Sequence, residues 1–333
     1  MNSTVPWQKS LRTLFAESSI AGPLATILIV TVLLAVFVNN FLTVRSISGI
    51  INAATLTGVV TIGITILMIS GEFDLSVGAL VAMGGYLFAM NIDNGNPTLG
   101  LLLAILVPGI LGAVNGLILI STNIPSFIVT LGTRYIYRGL VWVVSGGALL
   151  QIVEKYPIFN VFNGRLDVVN DLWAGANFRT SALWLIGLAI LCQYLLTRTR
   201  FGNHIFAVGG NPGAALVQGV NVKLTKVLTF VISGALAGFA GVLLFSQFTT
   251  IRVASGAGVE LSAIAAAVVG GTLLQGGMGS IWGALIGVLL ISTLRTGVVL
   301  LNIPFIPADN FEAIVGVTII AAVILNKWLR ERR

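Results

Sequence analysis

The sequence predicts an all-α fold, a polytopic transmembrane helical bundle, and three observations carry that expectation. First, hydrophobic residues make up 56% of the 333 residues and charged residues only 9%, whereas soluble domains carry about 25% charge. Second, the apolar stretches recur at close to the length a helix needs to cross hydrocarbon, roughly 20 residues. Third, Gly accounts for 39 of the 333 residues, about 12% against a usual 7%, and small residues let helices approach closely in lipid. The composition excludes a solvated globular surface and a disordered chain. One Cys and one His exclude a disulfide framework and a His/Cys metal site. The net charge is +7, but the basic residues form no single patch, so nucleic-acid binding has no support.

The first span runs from Ile20 to Val38. It exceeds a signal-peptide core and lacks a small-residue cleavage site, so it reads as retained. The remaining spans cover 47–70, 76–92, 98–120, 126–146, 180–197, 224–247, 260–275, 280–301 and 311–328, ten in all. The eighth is short and Gly-rich. Pro97 and Pro125 stand where helices begin, which suits their fixed φ; Pro108 lies within a span and is expected to kink it. The longest connection, 148–179, is too short to fold alone, so 1–333 reads as one membrane domain. With the N-terminus in the cytoplasm, ten Lys and Arg fall inside and five outside (Arg45, Lys155, Arg165, Arg179 and Arg252). That bias places both termini in the cytoplasm.

A repeat runs through the chain. Asp74-Leu75-Ser76 precedes Gly84-Gly85, and Glu260-Leu261-Ser262 precedes Gly270-Gly271 at the same spacing. Downstream, Gly112-Ala113-x-x-Gly116 has its counterpart in Gly283-Ala284-x-x-Gly287. Five spans separate the two acidic triplets, so the units have opposite orientation. Two inverted five-span repeats are an architecture of transporters, whose substrate path lies between them. The halves are 1–147 and 180–333, joined by the outer connection 148–179. The Gly pairs Gly112/Gly116, Gly234/Gly238 and Gly283/Gly287 read as packing seams within one subunit or as a dimer interface.

Ser, His and Asp do not cluster, and no acid/base or metal set assembles an enzyme site. The leads are polar groups at membrane depth. Ser70 to Gly78 interrupts an apolar run. Asp74 with Ser76, and Glu260 with Ser262, either cap helices or, as for Glu72 and Asp74, line the path or a gate. Asn52 and Asn115 suit a neutral hydroxylated solute or join helices by hydrogen bonds. Arg134 and Arg138 need a carboxylate or carbonyl partner, or contact substrate.

The inside loop, 198–222, is the most specific feature. Asn211 is placed to cap a short helix, Pro212 to begin it and Gly219 to end it. A helix of that kind facing the cytosol either ties two spans together or docks another protein. The segment resembles the coupling loop of permease subunits in the ribose/xylose/autoinducer-2 class of bacterial ABC importers. Gly71–Gly78 resembles their Gly-x-x-Asp-Leu-Ser-Val-Gly motif. Ile124–Gly132 with Arg138-Gly139 resembles their Pro-x-Phe-x-x-Thr-Leu and Arg-Gly pattern, and Glu260–Gly271 resembles a fourth block. Many relatives have Gly and Ile where this chain has Glu72 and Phe73.

The resemblance implies a channel formed with a second permease, identical or paralogous, in the bacterial inner membrane. Two cytoplasmic ABC ATPase subunits and an extracytoplasmic solute-binding protein complete the assembly, surrounded by membrane lipid. It implies a substrate path drawing on Asn52, Glu72, Asp74, Ser76, Asn115, Phe127 and Glu260. Gly210, Asn211, Pro212, Ala214, Ala215, Gly219 and Asn221 would seat on the ATPase, so a charge introduced at Ala215 is expected to disrupt docking. No G-x-x-x-x-G-K-[ST] occurs, so the chain cannot cradle ATP itself. ATP and Mg2+ belong on the partner, and this chain is expected to bind no cofactor. Three functions follow. They are a monosaccharide or polyol importer permease, a related permease for branched-chain amino acids or nucleosides, and a stand-alone secondary transporter or channel using Glu72 or Asp74 for ion coupling. The outer connection, with Tyr156, Phe159, Phe162, Trp173 and Phe178, is expected at the membrane interface or against the binding protein.

Overall fold

The computed structural model describes residues 21–154 and 156–301, with Ala313, Gly316, Val317 and Ile320 beyond them. The tenth expected span, apart from those four residues, and the basic residues of both termini lie outside this set. Thirteen helices and two short strands follow in order among the described residues: α1 Ala21–Phe37, α2 Val44–Ile69, α3 Val77–Asp93, α4 Pro97–Thr122, α5 Ser126–Ser145, β1 Leu150–Gln151, α6 Pro157–Asn163, α7 Asp167–Asn170, α8 Thr180–Arg198, α9 Arg200–Gly210, α10 Pro212–Val217, α11 Val222–Phe248, β2 Thr250–Ile251, α12 Val259–Val269 and α13 Ile281–Leu301.

Five of them, α2, α4, α8, α11 and α13, are long and apolar enough to cross a membrane. The shorter α1, α3 and α12 are also apolar. α5 has 20 residues but is more polar, with Thr130, Thr133, Arg134 and Arg138 along it. The eighth expected span, 260–275, is corrected: α12 stops at Val269 after 11 residues, about 16 Å of rise against roughly 30 Å of hydrocarbon. Glycine ends it. Gly271 takes φ 95°, and the Thr272 amide returns to Ala267 O at 2.9 Å, which closes the helix in a Schellman turn.

α2 and α11 form the centre, with 72% and 67% of their apolar windows buried, against 28% for α8. α11 packs on α2, α3 and α4, and α13 packs on α1, α2 and α12. The seams are glycine-built and internal. A Cβ on Gly84 would meet the Gly238 backbone, one on Gly112 would meet Phe230 O, and one on Gly234 would meet Pro108 O. Gly283 and Gly287 face Gly270 and Ala266 of α12. All three Gly pairs are thus filled within the chain, and the dimer reading of those pairs is set aside.

The outer connection is largely exposed but anchors itself in the core through α6. Phe159 and Phe162 of α6 are buried and stack edge-on with Phe245, Phe88 and Phe239, in the geometry aromatic pairs favour. Trp173, by contrast, is half exposed. β1 pairs antiparallel with β2, Leu150 opposite Ile251, and ties this connection to the end of α11. Between α8 and α10, where only one short helix was expected, α9 is a second one. Thr199 caps it by accepting from the Gly202 amide at 3.1 Å.

Candidate functional site

The chain breaks between α2 and α3, and the break is built residue by residue. α2 ends when Ser70 caps it and Gly71 turns to φ 88°; the Glu72 amide then reaches back to Leu67 O at 3.2 Å. The Phe73 amide donates to Ser126 Oγ at 3.0 Å, which fixes the break against the start of α5. Asp74 is fully buried. Its Oδ1 accepts from the Ser76 amide at 2.8 Å and from Ser76 Oγ at 2.6 Å. Ser76 precedes α3 but makes no side-chain cap bond, so the capping role expected of Ser76 does not hold. Asp74 instead accepts from the residue that opens the helix.

From there a polar network crosses three helices. Asn115 of α4 donates through Nδ2 to Ser76 Oγ at 2.9 Å, with Asp74 Oδ1 at 3.5 Å. Tyr137 Oη of α5 lies 2.8 Å from both Asn115 Oδ1 and Leu111 O. Buried polar groups are tolerated when mutually bonded, and this network satisfies Asp74 Oδ1, Ser76 and Asn115 together.

Opposite it lies the second acidic residue. Glu260 is in the first turn of α12, whose N-cap is Gly258 with no side-chain cap bond, so neither Glu260 nor Ser262 caps this helix. The Glu260 carboxylate occupies space that a Cβ on Gly78 would need. Arg134 Nη2 stands 2.8 Å from Glu260 Oε1, an ion pair of which Glu260 is the buried member. One turn along α5, Arg138 Nη1 donates to Val253 O and, at 2.9 Å, to Ser255 O. Residues 252–258 are not helical, and backbone of that kind at membrane depth must find internal partners. Arg138 supplies a donor to two of its carbonyls. Arg134 and Arg138 therefore serve as structural partners for a carboxylate and for carbonyls.

Glu72 and Asp74, two residues apart, part company. Glu72 pairs with Lys226 of α11 and borders a cavity of about 800 Å³. Its walls include Leu119, Ile120, Pro125, Pro212, Leu216 and Val220, so it opens between the α4–α5 turn and α10. Asn52 is remote from both. It donates to Asn177 O at 2.7 Å, and 17 residues of α2 separate it from Ile69, about 26 Å of helix. Phe127 is exposed at the start of α5. The structure thus gathers Asp74, Ser76, Asn115 and Glu260, and leaves Asn52, Phe127 and Glu72 elsewhere.

α10 has the local form its sequence specifies. Asn211 accepts from the Ala214 amide at 3.0 Å, Pro212 opens the helix, and Gly219, at φ 82°, lets the Val220 amide reach Ala215 O at 3.0 Å. Asn221 caps α11 by accepting from the Leu224 amide at 3.0 Å. Gly210, Asn211, Pro212, Ala214, Gly219 and Asn221 are exposed. Ala215 is not: it is buried against Val208 and Val220, because its Cβ faces α9. The expectation that Ala215 lies on a docking face is corrected. Leu216 and Val217 are the outward apolar residues.

Tyr137, Ser126 and Lys226 were not singled out by sequence. Nothing local marks Ser126, Tyr137 or Lys226 among other Ser, Tyr and Lys. Among the described residues no group of three or more His, Cys, Asp or Glu is placed to hold a metal ion.

Several apolar helices, glycine seams and buried polar groups around two interrupted helices define a membrane transport component. The chain belongs to the family described as the permease component of branched-chain amino acid transport systems, whose family model matches residues 46–323. It is 32% identical to the L-arabinose ABC transporter permease protein of Azospirillum brasilense, over 94% of this chain and 89% of that one. It is 33% identical to the ribose import permease protein of Bacillus subtilis, over 92% of both chains. It is also 33% identical to the D-allose transport system permease protein of Escherichia coli, again over 92% of both. No solved structure matches it significantly.

Proposed function

We propose that the chain is the membrane permease subunit of an ATP-driven, binding-protein-dependent importer for a monosaccharide or related polyol. The observation that carries this is similarity over more than nine-tenths of the chain to relatives named for three different sugars. The chain itself is a translocation subunit, not an enzyme. It lies in the bacterial inner membrane with both termini in the cytoplasm, the eighth crossing being made by the non-helical residues 252–258 together with the short α12 rather than by a full-length helix. It works with a second permease, two ABC ATPases that bind ATP and Mg2+, and an extracytoplasmic binding protein.

Two inverted halves carry the mechanism. Glu260 of the second half lies against Gly78, two residues after the acidic triplet of the first, and half-length or broken helices at a repeat interface are where transporters place the substrate path. On this reading Asp74, Ser76, Asn115 and Glu260 flank the path. α10 and its neighbours Asn211 and Asn221 seat on the ATPase through Leu216 and Val217. ATP binding moves α10 and rocks the halves, which opens the path to alternate sides.

A permease for branched-chain amino acids is the second reading, favoured by the family description. The test is a mild-detergent pulldown from native membranes, with co-purifying subunits identified by mass, followed by uptake in liposomes. A stoichiometric ATPase and uptake of ribose, arabinose or allose support the sugar importer. Uptake of leucine and no sugar selects the second reading. A lone chain that transports on an ion gradient overturns both.

A further inference from the structure

The break at 70–76 is held from α11 at two points. Lys226 pairs with Glu72, and Thr229 Oγ1 lies 3.2 Å from Ser70 Oγ. Lys226 and Thr229 are three residues apart and share one face of α11. Both charges of the pair are largely shielded: the side chains are 8% exposed for Glu72 and 21% for Lys226. Separating two such charges leaves one buried and unpaired, which is strongly unfavourable, so the two elements move together or the pair breaks at a cost.

The first turn of α11 also belongs to the α10 corner. Asn221 caps α11 directly after the turn that closes α10. The cavity lies between α10 and the α4–α5 turn, with Glu72 and Lys226 on its wall, so this corner has room to shift. Beside the break, backbones meet with no side chain between them. A Cβ on Gly276 would lie 2.8 Å from Gly71 Cα, and one on Gly209 would fall on Ile69 O. The Gly277 amide donates to Ile69 O at 2.9 Å. The end of α2 is therefore seated on α9 and on the loop after α12.

We propose that the Glu72–Lys226 ion pair is a positioning link that passes displacement of the α10 corner to the break carrying Asp74. Glu72 then contacts no solute and acts through Asp74 and its network. The proposal rests on the reading of α10 as the ATPase contact.

The experiment is amide hydrogen exchange on the complex isolated from native membranes, with and without a non-hydrolysable ATP analogue and Mg2+. In the wild type, nucleotide is expected to change exchange at 211–221, 222–226 and 70–76 together. In Glu72→Gln and in Lys226→Gln the response at 70–76 is expected to fall about fivefold or more, the lower end of ordinary coupling between sites. The response at 211–221 persists, and the double variant Glu72→Lys/Lys226→Glu regains the response at 70–76. A full response at 70–76 in both single variants overturns the link. So does a wild type in which 211–221 responds and 70–76 does not, which decides the matter even where the variants fail to assemble. A wild type in which 211–221 itself is silent overturns the ATPase-contact reading, and the link with it.

Discussion

Glu260 is buried at 0% exposure, and its partner cation is Arg134. Removing one partner of a buried pair leaves a charge in a poor solvent, typically a loss of about 3 kcal/mol. Arg134→Met is expected to lower detergent-solubilised stability by that order, read as a fall in the unfolding midpoint, and Arg134→Met/Glu260→Gln is expected to recover most of it. Arg138→Met has a different effect, because it frees two backbone carbonyls of 252–258. Asp74 makes its point through function. A hydrogen bond contributes about 0.5–1.5 kcal/mol net, and Asp74 Oδ1 gathers three donors. Asp74→Asn is expected to reduce solute uptake well below that of Asp93→Asn, a change at an exposed position. Equal uptake by the two variants removes Asp74 from the site.

Helix contacts concentrate at glycines, and that makes them separable from glycines that face outward. A Cβ at Gly238 would strike Ala104 O and Pro108 of α4. Gly238→Ala is expected to destabilise by about 1–3 kcal/mol through overpacking. Gly139 on α5 has nothing within 4 Å among the described residues, so Gly139→Ala leaves the melting midpoint unchanged or raises it. α10 supplies the second contrast at this scale. Val217 is 89% exposed and Ala215 is 2% exposed. Val217→Glu is expected to keep the melting midpoint and to lose the co-purifying ATPase. Ala215→Glu loses both, since it forces a carboxylate into the contact between α9 and α10.

For the whole molecule, the proposed importer requires ATP hydrolysis in a partner rather than an ion gradient. Uptake into vesicles is expected to persist when the proton and sodium gradients are collapsed with ATP present, and to vanish with Val217→Glu. Loss of uptake on collapsing either gradient would instead favour the ion-coupled transporter. The sequence by itself determined the membrane class, most helix positions, the caps of α10 and the family. Each of these is a local property: apolar run length, the φ freedom of Gly219, the side-chain oxygen of Asn211, the spacing of four motifs. It also marked Asp74, Ser76, Asn115 and Glu260, because a polar group inside an apolar run stands out. It did not find α9, whose Gly202, Gly209 and Gly210 look like loop; there the absent side chain of Gly209 lets the helix lie on Ile69 and the loop after α12. Nor did it separate Glu72 from Asp74. Only tertiary structure sent Glu72 to Lys226, 154 residues away, turned Ala215 inward and brought Arg134 to Glu260. Those outcomes depend on which helix faces which, and no local pattern encodes the identity of a neighbour so distant along the chain.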